Sequence, residues 1–379
     1  MSIIHGHCEP AFNKVRDLLE QTILSEEELG ASLCVNIDGQ DVVNLWGGFA
    51  DRARSKLWKE DTISIVWSTS KCITNLAALI LIDRRLLDPF ASVSKYWPEF
   101  ATNEKAIVQV WHVLTHSAGL PAWQRPTTIE EVYDVTKANE HLAGSPLWWI
   151  SGTVTGYHPI TQGHIISELV LRVTGKRVRE FIAEELAGPL NADFQLGVLE
   201  KDRSRVAEII SPAPLDPQPD FDIDGIAGRA LTTPPIQAEI AETTAFWDAE
   251  MASGNGFGTA QGIARILSAI SLGGTVDGKK LLRSETAQLA TSEQISGKDL
   301  VLGTDVRFGM GFGLRVESGM AWIREGSCYW GGWGGSLAIM DPKNKMTICY
   351  APSRMLNSGP RGDPRAESYV KAIYEGIGK

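Results

Sequence analysis

The stretch Trp67-Ser68-Thr69-Ser70-Lys71, followed by CITNLAALILIDRRLL over residues 72–87, decides how this chain is read. Ala, Leu and Ile fall on every face from Leu76 to Ile82, with no Gly or Pro before Pro89. A helix that is apolar all round is a buried helix, not a surface one. If it starts near Ser68, then Ser68 and Lys71 stand three positions apart and share a face. A hydroxyl is thereby held beside an amine at the mouth of a buried helix, the local geometry an activated serine needs. Asp88-Pro89 ends the helix in this reading.

Working outward, residues 10–29 alternate apolar and charged side chains at helical spacing (Phe12, Val15, Leu18, Leu19, Ile23) and predict an amphipathic helix. Residues 31–50 carry two β-rich runs around Asp38-Gly39, a hairpin signal. Beyond Pro89, prolines punctuate short helical pieces such as 129–141 and 161–174, and 211–225 holds too many prolines for a regular element. Residues 258–272 read as helix. From Gly274 strands dominate, at 309–315, 321–323, 336–340 and 346–351, before a last helix at 365–374. The expected class is α+β. An antiparallel sheet built from both termini (1–90 and 265–379) is flanked by helices, and 91–264 is inserted as a mainly helical domain.

Composition excludes several classes. The formal net charge of −10 argues against a nucleic-acid partner, because phosphate binding needs a basic face. The five cysteines are an odd number without C-x-x-C spacing, which suits buried thiols in a reducing compartment. The first twenty residues lack a signal-peptide pattern and no apolar run reaches membrane-spanning length. The expectation is a cytoplasmic protein with no membrane partner.

Ser-x-x-Lys recurs at Ser92-Val-Ser-Lys95, but that copy lies between Pro89 and Pro98, where no long buried helix fits. Context favours Ser68. Its hydroxyl needs a base, and an acyl oxyanion needs preorganised donors. Lys71 serves if burial lowers its pKa, or it lowers that of a nearby tyrosine instead. Tyr157 stands in Ser151-Gly-Thr-Val-Thr-Gly-Tyr157-His158-Pro159, just before a helical run, either as chemistry or as packing. Tyr329-Trp330-Gly331-Gly332-Trp333-Gly334-Gly335-Ser336 sets tryptophans among glycines, a mark of close approach by a ligand or backbone, or of a crowded strand edge.

Other patterns fail. Residues 273–279 resemble a P-loop, but Lys280 stands where Ser or Thr should bind magnesium, and Asp277-Gly278 reads as a turn. His112 and His116 lack the glutamate of a zinc motif and read as structural. No G-x-S-x-G elbow is present. Cys72 reads as packing, and Trp67, Trp123, Trp148, Trp149, Trp247 and Trp333 are either pocket or core.

Taken together, Ser68-x-x-Lys71, the Tyr157 loop and Trp330-Gly331-Gly332 resemble the family VIII carboxylesterases, serine hydrolases related to class C β-lactamases and D-alanyl-D-alanine carboxypeptidases. Val113-Leu-Thr-His-Ser-Ala-Gly-Leu-Pro121, Asn255-Gly-Phe-Gly-Thr259 and Gly362-Asp-Pro-Arg365 look similar too, and the resemblance runs from about Pro10 to the C-terminus in the family's order. It implies a β-lactamase/transpeptidase-like fold with Ser68 as the acylated nucleophile, and a reaction that needs neither metal nor organic cofactor. Lys71 and Tyr157 would share the base role, Tyr157 also protonating the leaving group. The backbone N–H groups of Ser68 and Trp333 would form the oxyanion hole, and Trp330, Gly331, Gly332 and His158 the substrate pocket.

Two departures bear on substrate. An uncharged Trp330 replaces the lysine that meets the β-lactam carboxylate, and Pro159 leaves no amide after His158 to hold a lactam side chain. The resemblance therefore implies a serine ester hydrolase for small neutral or apolar carboxylic esters, with weak β-lactamase activity less favoured. The alternatives are an acyltransferase passing the acyl group to an alcohol or amine, a non-hydrolytic member using the same pocket, and a silent binding protein.

Overall fold

The computed structural model describes residues 3–214 and 222–378. Three strands arise early: β1 (Ile4–Cys8), β2 (Gly30–Ile37) and β3 (Gln40–Gly48). A small sheet combines β4 (Ser64–Ile65), β5 (Phe194–Leu196) and β6 (Gly256–Gly258), and a hairpin joins β7 (Thr275–Val276) to β8 (Lys279–Lys280). The late strands are β9 (Ile295–Lys298), β10 (Asp305–Phe308), β11 (Gly313–Leu314), β12 (Cys328–Gly331), β13 (Leu337–Asp341) and β14 (Met346–Pro352). Early and late strands merge into one nine-stranded antiparallel sheet, ordered β1-β3-β2-β14-β13-β12-β11-β10-β9.

The register follows from local chemistry. Asp38 (φ 51°) and Gly39 (φ 86°) both take left-handed conformations, as a two-residue hairpin turn requires, and they set Ile37 opposite Gln40. At the seam of the two chain ends, Val35 faces Ile348 across β2 and β14. Side chains alternate between the sheet's faces. Leu33, Val35, Ile348 and Tyr350 pack with residues of the helices Asn13–Leu24 and Pro364–Gly376. Cys34, Cys349, Ala338 and Ala351 pack on the other side with residues of Ala260–Ser271 and Ser70–Asp83. This is the antiparallel sheet flanked by helices that the sequence predicts.

The helix Ser70–Asp83 is buried throughout from Ser70 to Leu81. Its large apolar side chains, Leu76, Leu79, Ile80 and Leu81 among them, are fully buried, each contributing roughly 1.5–3 kcal/mol. It ends four residues before Leu87. Arg85 turns left-handed (φ 61°), and the N–H groups of Leu86 and Leu87 both return to the Leu81 carbonyl, so a local cap ends the helix ahead of Asp88-Pro89.

Other bounds also shift. The first helix stops at Leu24, before left-handed Glu26 (φ 64°). Residues 129–141 divide into Ile129–Tyr133 and Val135–Gly144, because the Asp134 side chain accepts the Lys137 N–H and starts a new helix. In 309–315 only Gly313–Leu314 is strand, and 321–323 is a turn in which Ile323 N–H meets the Met320 carbonyl. The turn at Asp277-Gly278 is as expected. Of the proline-rich passage 211–225, residues 215–221 lie outside the described residues, and the rest is irregular. All five cysteines are free, four of them buried. Among the described residues no helix is long and apolar enough to cross a membrane.

Candidate active site

Where β4 ends, Trp67 takes a left-handed conformation (φ 46°), rare for a bulky residue and typical of functional turns. The chain thereby swings into a short 3-10 turn, Trp67–Thr69, that runs straight into the helix. Ser70 locks the turn: its hydroxyl donates to the Trp67 carbonyl (2.5 Å) and accepts the Gly256 N–H (2.8 Å). Ser68 is left half-exposed, while Thr69, Ser70 and Lys71 are buried. The predicted shared face of Ser68 and Lys71 is present, with 3.1 Å between Ser68 Oγ and Lys71 Nζ.

The other contacts of Lys71 are uncharged. Its Nζ donates to the carbonyls of Pro159 (2.7 Å) and Ser253 (2.9 Å). Burial pushes the Lys71 pKa well below the usual lysine range. On the far side of Ser68, the Tyr157 hydroxyl lies 2.7 Å from Oγ. Burial pushes this phenol up to about 12, partly offset by its hydrogen bond to Ser68.

Three consecutive N–H groups hold the Tyr157 loop. Gly156 donates to the His116 carbonyl (2.9 Å), Tyr157 to Asp299 Oδ1 (2.9 Å), and His158 to His116 Nδ1 (3.1 Å). The Tyr157 ring meets His116 edge-on at 4.8 Å and Trp330 at 5.3 Å between centroids.

His158, expected in the substrate pocket, is fully buried. Its Nε2 accepts the Leu120 N–H (3.1 Å) and its Nδ1 meets the Gly156 carbonyl (2.5 Å), so both ring nitrogens are engaged by backbone. Burial lowers its pKa to about 3. It is a structural histidine that braces the loop.

The glycine-rich third motif leaves β12 and runs against the Ser68 turn. A β-carbon on Gly332 would lie 2.2 Å from the Val66 carbonyl oxygen, so only glycine allows this approach. Ser336 fastens the contact, donating to the Val66 carbonyl (2.7 Å) and sharing a hydrogen bond with Thr69 Oγ1 (2.9 Å). Trp333, next in the chain after Gly332, packs its ring against Trp67 at 5.1 Å between centroids and a tilt of 57°. Among the described residues no acceptor takes the backbone N–H of Ser68 or of Trp333. Gly331 continues β12, and half-buried Trp330 packs between Tyr157 and Phe308. Trp123 is core, and Cys72 is fully buried with its thiol pushed up to about 12, so it packs.

Asp299, His116 and the carbonyls of Pro159 and Ser253 hold Tyr157 and Lys71 in place, and sequence reasoning did not single them out for that work. Asp299 leaves a local trace, an aspartate accepting N–H groups two and three residues on (Val301 and Leu302), but its reach to Tyr157 has none.

A serine hydroxyl set between a buried amine and a phenol, with two free N–H donors on the adjoining turn and loop, defines a serine hydrolase. The chain belongs to the beta-lactamase family, whose family model matches residues 14–371. It is 31% identical to the esterase/beta-lactamase LipL of Mycobacterium tuberculosis, over 93% of this chain and 84% of that one. Among solved structures it resembles a family VIII carboxylesterase (TM-score 0.90, 34% identity, 98% and 99% of the two chains). It also resembles a penicillin-binding protein homolog from Caulobacter crescentus (TM-score 0.91, 31% identity, 98% and 99%). The fold is thus of the β-lactamase/transpeptidase type.

Proposed function

We propose that the protein hydrolyses neutral or apolar carboxylic esters through a Ser68 acyl-enzyme. The observation that carries this is the setting of Ser68 Oγ, 3.1 Å from the buried Lys71 Nζ and 2.7 Å from the Tyr157 hydroxyl. A neutral amine has two N–H groups, and the carbonyls of Pro159 and Ser253 take both. Its lone pair is left for the Ser68 hydroxyl, so Lys71 is the base of acylation. Tyr157 keeps its proton and is the acid.

As Ser68 Oγ bonds to the ester carbonyl carbon, its proton passes to Lys71. The N–H groups of Ser68 and Trp333 receive the oxyanion. Collapse breaks the bond to the leaving oxygen, which takes the Tyr157 proton and departs as the alcohol. Lys71 is then an ammonium and Tyr157 a phenolate. Water attacks the acyl carbon and gives its proton to Tyr157; the Ser68 oxygen leaves and recovers its proton from Lys71. Both groups return to their starting state.

In the family pattern Trp330 takes the place of a cation that would meet a substrate carboxylate, and an uncharged indole beside Tyr157 favours uncharged esters. The likeness to an esterase/beta-lactamase and to a family VIII carboxylesterase supports the same reading. Five unpaired cysteines suit a cytoplasmic setting.

The test is the intact mass of wild type and Ser68→Ala after brief exposure to a short-chain p-nitrophenyl ester, with and without an added alcohol. An acyl adduct on wild type alone, cleared by water, is expected. Clearance only with alcohol would make the protein an acyltransferase, and turnover unchanged in Ser68→Ala would overturn the assignment.

A further inference from the structure

Behind the Trp333 loop lies an ionic cluster that the chemistry above leaves unused. Arg365, in the first turn of the helix Pro364–Gly376, is 4% exposed, and Glu28 and Asp363 are 1% and 4% exposed. One edge of the guanidinium donates to Glu28 Oε2 (2.8 Å) and the Glu27 carbonyl (3.0 Å). Nε and Nη2 grip the Asp363 carboxylate at 3.1 and 2.6 Å. Nη2 also reaches the carbonyls of Arg354 (2.9 Å) and Gly334 (3.3 Å). Glu28 in turn accepts the N–H groups of Leu29 and Arg354, each at 2.8 Å, and the Tyr350 hydroxyl at 2.9 Å. A single side chain thus ties together the entry to β2, the exit from β14, the start of the last helix, and Gly334.

The Trp333 loop sits between two walls. On one side Gly332 abuts Val66 of the nucleophile turn. On the other, Gly335 (φ +116°) abuts Asp363, where a β-carbon would come within 2.0 Å of Oδ2. Trp333 lies between those contacts, so a shift of Asp363 or Arg365 is passed to its N–H. A buried ion cluster adds little net stability, because desolvation offsets the attraction. Its planar fork does fix several acceptors at once, which a lysine cannot do.

We propose that Arg365 is a positioning residue for the oxyanion hole, holding the Trp333 N–H in register through Gly334 and the Asp363–Gly335 contact. This role rests on the Ser68 acyl-enzyme reading. It predicts that loosening the clip weakens transition-state binding more than substrate binding.

Wild type and R365K are compared on p-nitrophenyl acetate and with phenylboronic acid, which adds to the serine and presents an anionic tetrahedral oxygen to the hole. R365K keeps the charge and loses the fork. The expected result is native near-ultraviolet circular dichroism, KM within about twofold, and kcat lowered about ten- to a hundredfold, with the boronate inhibition constant raised to match. A folded R365K with wild-type kcat and boronate affinity overturns the role, as does a raised KM at unchanged kcat. If R365K does not fold, the uncharged E28Q/D363N/R365M variant carries the same readouts. Failure of both to fold overturns the role by assigning the cluster to the fold alone. A wild type that shows no Ser68-dependent acylation overturns the ester-hydrolase reading and this role with it, a result wild type reports by itself.

Discussion

Asp299 Oδ1 accepts the Tyr157 N–H at 2.9 Å, and the same oxygen accepts the N–H groups of Val301 and Leu302 at 2.9 Å each. One buried oxygen therefore joins the loop that carries the phenol to a turn 142 residues away. D299A leaves three N–H groups unpaired and frees the loop, so kcat on p-nitrophenyl acetate should fall about tenfold or more while KM stays within about twofold. D299N keeps an acceptor oxygen and should remain close to wild type. Steady-state kinetics of the pair decide it: equal loss in both would mean that charge, not the hydrogen bond, matters.

Gly332 and Gly331 make a matched test of the third motif. A methyl group on Gly332 would meet the Val66 carbonyl oxygen at 2.2 Å, whereas on Gly331 its nearest neighbour is the Ser336 carbonyl oxygen at 3.3 Å. G332A should push the loop off the nucleophile turn, cutting kcat about a hundredfold or more. Its thermal stability should drop by about 1–3 kcal/mol. G331A should be mild in both. A G332A enzyme with wild-type kcat would remove Trp333 from the oxyanion hole.

The pH dependence separates base from acid. With Lys71 as the proposed base and its pKa lowered by burial, kcat/KM should fall as pH drops through that lowered value and hold steady above it. With Tyr157 as the proposed acid and its pKa pushed up to about 12, the plateau should extend well into alkaline solution. K71R is always protonated, and Y157F has no proton to give. Each should lose roughly 10²–10⁴-fold in kcat/KM. An acid limb that survives unchanged in K71R would assign it to another group.

Buried histidines predict how stability responds to acid. Burial lowers the pKa of His158 to about 3, of His116 well below the ordinary histidine value, and of His164 less strongly. The unfolded chain takes up these protons below about pH 6.5 while the folded chain refuses them. Stability is therefore indifferent to these groups above neutrality and falls as pH drops toward 5, by up to about 1.4 kcal/mol per pH unit for each histidine. Thermal melts from about pH 7 to pH 5 should show the decline, and H158Q should flatten it. A slope unaltered in H158Q would mean that the histidine titrates alike in both states.

How much of this was legible in the sequence depends on distance along the chain. Ser68 and Lys71 are three residues apart, on a 3-10 turn and the helix it runs into, so their meeting is a local fact that periodicity reveals. Asp38-Gly39 is equally local. The Lys71 carbonyl partners lie 88 and 182 residues away, and every residue carries a carbonyl, so no composition marks them. Tyr157 and the third motif are legible only through resemblance, because chain order alone does not bring them to Ser68. His158 reads as a pocket residue only because it adjoins Tyr157. Adjacent side chains need not face the same way, and His158 turns toward Leu120 and Gly156. The run at 309–315 looks like one strand, but Gly311 takes φ 91°, and a turn displaces most of the pairing.

The Ser336–Val66 contact joins residues 270 positions apart, and β2 finds its partner β14 only near the end of the chain. During synthesis Ser68 and Lys71 leave the ribosome long before the loop and strands that complete their surroundings. Such distant pairings form late and slowly. Catalysis is thus among the last properties the nascent polypeptide acquires. A translation product released before β14 would be inert toward esters and would bare the hydrogen-bonding edge of β2, an invitation to aggregate.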